Sequence, residues 1–277
     1  MAVLPQYQSD VDAILAMRDR NGADLWATPD RKLAKGGVFS TLGSALLLLE
    51  LGVSPSDPLL TAVADLIFST WREDGRFKLS PQGAIYPCHT IHAANALCHL
   101  GHAEDPRLRK TFEHLMDTQY PDGGWRCNKF SFGRGPETAF SNPGPTLNAL
   151  DVFRFTPFLN REEALDRAVS FLLGHWTIRR PIGPCHYGIG TLFMQPEYPF
   201  GNYNLFLYVY VLSFYRSARR DPRFLEALSA LESDLTDGRI VVKRVNPRLA
   251  GFAFCKKGAS SAPATERYHE ILKNIGR

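Results

Sequence analysis

The sequence predicts an all-helical chain of about five helix-hairpin repeats, and three internal repetitions predict it. Three segments align: Phe39-Ser40-Thr41-Leu42-Gly43-Ser44-Ala45, Cys88-His89-Thr90-Ile91-His92-Ala93-Ala94 and Gly144-Pro145-Thr146-Leu147-Asn148-Ala149-Leu150. Their shared threonines are 49 and 56 residues apart. Turns of the Asp/Asn-Gly type recur near a tryptophan: Asn21-Gly22 before Trp26, Asp74-Gly75 after Trp71, Asp122-Gly123 before Trp125, with Asp237-Gly238 as one more. Asp-Pro pairs stand at three helix starts, Asp57-Pro58, Asp105-Pro106 and Asp221-Pro222. The carboxylate caps the free N–H groups there, and proline fits the first turn because its missing donor is not needed.

In chain order, hairpins are expected to start near residues 8, 57, 105, 161 and 221. The first helix of each is amphipathic, as in Leu59, Val63, Leu66 and Ile67 or Ala164, Ala168, Phe171 and Leu172. A loop follows the turn, and then comes a second helix rich in Leu and Ala. Gly52 and Gly101 close the first two of these second helices. Strand alternation is confined to stretches such as Arg239–Val245. The whole chain, 1–277, reads as a single domain, and an ordinary helical bundle or open solenoid is the plain alternative.

Composition sets the outer limits. With 44% hydrophobic and 22% charged residues the chain can bury a sizeable core. The longest apolar run, Ala45–Leu49, is too short to span a bilayer, and MAVLPQYQSD lacks the pattern of a secretory leader. Five cysteines without framework spacing suggest reduced thiols and a cytoplasmic location.

Leu115-Met116-Asp117-Thr118-Gln119-Tyr120-Pro121-Asp122-Gly123-Gly124-Trp125 resembles the Gln-to-Trp repeat of squalene and hopene cyclases. The chain is thus similar to the terpenoid-cyclase and protein-prenyltransferase superfamily. That resemblance implies an α/α toroid whose first helices form an outer ring and whose second helices form an inner one around a cavity. It also implies that the Gln and Trp tie an outer helix to the next inner one. In such a toroid the N-termini of the inner helices and the loops after each turn gather at one mouth.

Those loops are basic. They carry Arg126, Lys129 and Arg134, then Arg179 and Arg180, then Arg239, Lys243, Arg244, Arg248, Lys256 and Lys257, with no acidic residue between 238 and 257. Cations and helix N-termini together suit an anionic head group such as a diphosphate, a phosphate or a carboxylate. Solvated surface charge is the bland alternative. Two residues after the shared threonine come Gly43, His92 and Asn148, and Cys88, His92, Asn95 and His99 form one helical stripe. His92 or His89 is the expected acid/base, with Asp151 as an orienting or basic carboxylate. Trp125, Tyr187, Tyr208 and Asn148 join the basic residues as expected ligand contacts, although aromatics such as Tyr208 also serve as core.

Pro87-Cys88-His89 and Pro184-Cys185-His186 suggest a zinc site formed by Cys88, His89, Cys185 and His186. Protein prenyltransferase β-subunits bind zinc through Asp, Cys and His, and Cys185-His186-Tyr187-Gly188 is similar to a motif of lanthionine cyclases. The prenyltransferase Asp-x-Cys is not matched, because Tyr86 and Gly183 precede the two cysteines at that spacing. A buried Cys beside a hydrogen-bonded His is the plain reading. Neither Asp-x-Asp-Asp nor Asp-Asp-x-x-Asp occurs, so the acid of squalene-type cyclases and the Mg²⁺ ligands of ionising terpene synthases are not seen.

The leading expectation is therefore a small toroid protein, as an enzyme a transferase or cyclase, that takes an anionic-headed, largely apolar and isoprenoid-like molecule into its cavity. One alternative is a non-catalytic repeat scaffold or regulatory subunit with a partner protein. A second is a carbohydrate-active α/α barrel using carboxylates among Glu137, Asp151 and Glu197. No nucleic-acid module accompanies the basic loops.

Overall fold

A computed structural model describes residues 3–127, 135–156 and 163–277. The described residues are mostly helical, with one two-residue strand pair. The chain divides into two compact units, Met1–Asp117 and Thr118–Arg277, where the sequence leads us to expect one domain. The cut falls at the end of the third hairpin's first helix.

The first unit holds α1 (Gln8–Leu15), α2 (Thr41–Glu50), α3 (Pro58–Phe68), α4 (Pro87–His99) and α5 (Pro106–Asp117). Here α2 and α4 pack on each other, α3 lies against both, α1 against α2 and α5 against α4. The second holds α6 (Pro143–Phe153), α7 (Glu163–Ile178), α8 (Thr191–Met194), α9 (Leu205–Leu212), α10 (Arg216–Arg219), α11 (Pro222–Glu232) and α12 (Ala262–Ile275). At its centre α9 touches α6, α11 and α12, and all of its residues are buried. Between α11 and α12, β1 (Leu235–Thr236) pairs antiparallel with β2 (Arg239–Ile240).

Helix starts follow the caps. Asp57, Asp105 and Asp221 accept from the N–H of Leu59, Arg107 and Arg223 at 2.8, 2.8 and 2.9 Å. In the latter two, the arginine side chain returns to the same carboxylate at 2.7 Å, so cap and ion pair share one acid. Ser40, Asn204 and Ser261 cap α2, α9 and α12 in the same way.

Two contacts repeat from hairpin to hairpin. In the first, the N–H two residues past the turn glycine donates to a buried threonine of the following helix: Phe77 to Thr90 (3.2 Å), Trp125 to Thr146 (3.0 Å) and Ile240 to Thr265 (3.2 Å). Thr41 instead donates to the Leu25 carbonyl at 2.9 Å. In the second, the turn glycine lies on the backbone of the next first helix. Gly75, at φ +82°, leaves room for a Cβ only 2.5 Å from the Lys110 carbonyl oxygen of α5, and Gly123, at φ +89°, only 2.6 Å from that of Arg167 on α7. Gln119 reinforces this seam, donating to the Gly123 and Ala164 carbonyls, both at 2.7 Å. It therefore reaches the next first helix, where the resemblance implies a tie to an inner one. No helix among the described residues is long and apolar enough to cross a membrane.

Candidate functional site

Polar groups surface on two otherwise covered helices. On α4, Thr90, Ile91, Ala93, Ala94, Ala96, Leu97 and Cys98 are buried. The stripe Cys88, His92, Asn95 and His99, together with His89, keeps accessible surface. On α6 every residue except Asn148 is buried. The register is the one read from the sequence, two residues after a buried threonine. At the matching position of α2, Gly43 is half-buried and lies against its own loop, whose Val38 oxygen leaves only 2.5 Å for a Cβ.

His92 is exposed, yet desolvation lowers its pKa from the ordinary imidazole value. Tyr203 behaves alike: it is half-buried, and desolvation raises its hydroxyl well above the usual tyrosine value.

Tyr203 belongs to an aromatic group in the second unit. His175 on α7 is fully buried, with Nδ1 2.9 Å from the Tyr203 hydroxyl and Nε2 3.2 Å from the Arg180 carbonyl oxygen. A carbonyl only accepts, so Nε2 carries the proton and Nδ1 accepts from Tyr203. Burial pushes this imidazole down to about 4, which keeps it neutral at pH 7. The Tyr187 ring stands edge-on to Tyr203, with centroids 5.8 Å apart. It also rests on Gly144, where a Cβ would lie 2.5 Å from its Cε1. Gly144 precedes Asn148 by one turn, so Tyr187 and Asn148 share a face of α6. Tyr203 is among the aromatics the sequence offers as cavity lining or core, but its pairing with His175 carries no signal there, because it depends on the path of residues 179–204.

The remaining expected residues lie as follows. Asp151 sits at the far end of α6 from the threonine register, its Oδ1 2.5 Å from Arg154 Nε. That guanidinium lies over the rings of Phe155 and Phe214, at 4.3 and 4.5 Å. Trp125, 1% exposed, and Tyr208, whose hydroxyl donates to the Leu172 carbonyl at 3.1 Å, are core side chains and present no surface to a ligand. Arg126 donates to the Thr138 carbonyl at 2.7 Å. Lys243 pairs with Asp234 at 2.5 Å and Arg244 with Glu197 at 3.2 Å, so both charges are already balanced. Arg179 and Arg180 are exposed, the former over the Trp176 ring at 4.8 Å. Lys129 and Arg134 lie outside the described residues.

Of the expected zinc ligands, Cys88 and His89 open α4 in the first unit, and Cys185 and His186 form the tip of a turn in the second. Among the described residues no group of three or more His, Cys, Asp or Glu side chains is arranged to hold a metal ion. Cys185 and His186 instead end a tight turn closed by the Ile182–Tyr187 bridge. Of the carbohydrate-type carboxylates, Asp151 and Glu197 are both committed to arginines. Compared with known proteins, the chain matches no family model and no curated protein.

Proposed function

We propose that the hairpins close into an α/α toroid of about five repeats whose interior binds a small molecule with an anionic head and an apolar body. The observation that carries this reading is the recurrence of accessible polar residues, His92 and Asn148, at one register of helices otherwise buried. In this reading the second helices carry the ligand-facing groups, His92 and Asn95 on α4 in the first unit, and Asn148 on α6 with the Tyr187 and Tyr203 rings in the second. Arg179 and Arg180 hold the head, since Lys243 and Arg244 are neutralised by carboxylates. His92, kept neutral by desolvation, is the group suited to accept a proton. The commitment of Asp151 to Arg154 removes it from the chemistry and weighs against the carbohydrate alternative.

The test is calorimetric titration with a prenyl diphosphate, a long-chain fatty acid and inorganic diphosphate. Binding of either amphiphile, at least tenfold weaker in His92→Ala and Asn148→Ala and also in Arg179→Gln/Arg180→Gln, is expected. Amphiphile affinity that none of these variants changes, or no binding at all, overturns the proposal.

A further inference from the structure

We infer that Cys127 and Cys185 are a redox-responsive thiol pair that closes to a disulfide and pins the turn carrying Tyr187. Two features bring them together. Cys127 is fixed by its backbone N–H, which donates to Asn142 Oδ1 at 2.7 Å. Cys185 rides the turn of residues 182–187, and that turn is laid on the same asparagine: the φ +77° of Gly183 leaves only 2.8 Å between a Cβ there and Asn142 Nδ2. The Gly183 N–H also donates to the Glu137 carbonyl at 2.9 Å. The result puts Cys185 Sγ 3.9 Å from the Cys127 carbonyl oxygen, across 58 residues of sequence. Both thiols are reduced in this structure.

Accessibility sets the order of events. Cys185 is half-buried, whereas Cys127 is 6% exposed. Cys98 and Cys255 are buried, the latter with its Sγ on the Leu249 carbonyl at 3.8 Å. With oxidised glutathione as the oxidant, the Cys185 thiolate attacks one glutathione sulfur, the glutathione S–S bond breaks and one thiolate leaves. The Cys127 thiolate then attacks the Cys185 sulfur of the mixed disulfide and displaces the second glutathione. The protein gives up two electrons and two protons, which leave on two glutathione thiols. Tyr187, two residues beyond Cys185, lies over Gly144 and edge-on to Tyr203. A crosslink at Cys185 therefore fixes the aromatic side of the candidate site. The inference rests on the thiols and stands whether or not the proposed ligand binds.

The test is incubation of the whole chain with oxidised glutathione, quenching of free thiols by alkylation, and proteolytic mass mapping without reduction. A Cys127–Cys185 linked peptide as the main oxidised product is expected, reversed by dithiothreitol, kept in Cys88→Ser and absent in Cys185→Ser. Amide exchange across residues 181–189 should slow at least tenfold in the oxidised wild-type protein. A stable glutathione adduct on Cys185 with Cys127 still alkylated, or a different cysteine pair, overturns the inference. Because the decisive reading is made on the wild-type chain, it does not depend on how a variant folds.

Discussion

Replacing Gly75 with alanine tests whether the turn-on-helix contact is a real seam of the repeat. The backbone there has φ +82°, a conformation costing an L-residue about 1–2 kcal/mol. Alanine also restricts the unfolded chain, which offsets some of this by about 0.4–1 kcal/mol. The new Cβ must in addition stand 2.5 Å from the Lys110 carbonyl oxygen and 3.0 Å from His114 Cβ. Neither helix backbone nor a Cβ yields like the end of a flexible side chain, so overpacking adds about 1–3 kcal/mol. We expect a loss of about 2–4 kcal/mol for Gly75→Ala, and a similar loss for Gly123→Ala, which meets the Arg167 backbone at 2.6 Å.

Gly238 supplies the control. Its φ is +71°, but nothing lies within 4 Å of a Cβ added there. Gly238→Ala should therefore cost only about 1 kcal/mol, the conformational part alone. The assay is urea denaturation followed by circular dichroism, with the midpoints of the three variants compared against wild type. Equal losses at Gly75 and Gly238 would refute the reasoning, because they would leave nothing for the helix contact to explain.

Two further outcomes are expected. Thr146→Val should lose about 1–3 kcal/mol by leaving the buried Trp125 N–H without an acceptor, while Thr146→Ser keeps most of it; equal losses in a urea titration would contradict this. His175 makes stability depend on pH, since its folded pKa of about 4 lies below the unfolded value of 6.5. Its contribution is complete above pH 6.5 and declines as pH falls through 6.5 toward 4, a loss of about 2.5 kcal/mol between pH 8 and pH 4.5. Unfolding free energies across that range should fall less steeply in His175→Gln, and equal slopes would remove His175 from the account.

Much of the fold was legible because its signals are local. Caps at Asp57, Asp105 and Asp221 act within two residues, so the first-helix starts expected near 57, 105, 161 and 221 fall within two residues of α3, α5, α7 and α11. The last second helix was not legible. About two dozen residues of loop separate Gly238 from α12, and Thr265 joins the threonine series only through its bond to the Ile240 N–H.

The site divides along the same line. Helical period alone put Cys88, His92, Asn95 and His99 on one stripe and Asn148 at the matching register, because those positions follow from 3.6 residues per turn. Asp151 and Arg154 pair three residues apart at the end of one helix, whereas Arg244 meets Glu197 and Lys243 meets Asp234 only after the loops fold back, so those two balances were not legible. The His175–Tyr203 bond and the approach of Cys185 to Cys127 are likewise set by loop paths. Helices, their caps and the polar register could be read from the chain alone, because all of them depend on neighbours within a turn or two. The meeting of Arg244 with Glu197 and of Cys185 with the Cys127 backbone came only with the tertiary structure, because those pairings join residues far apart in the chain.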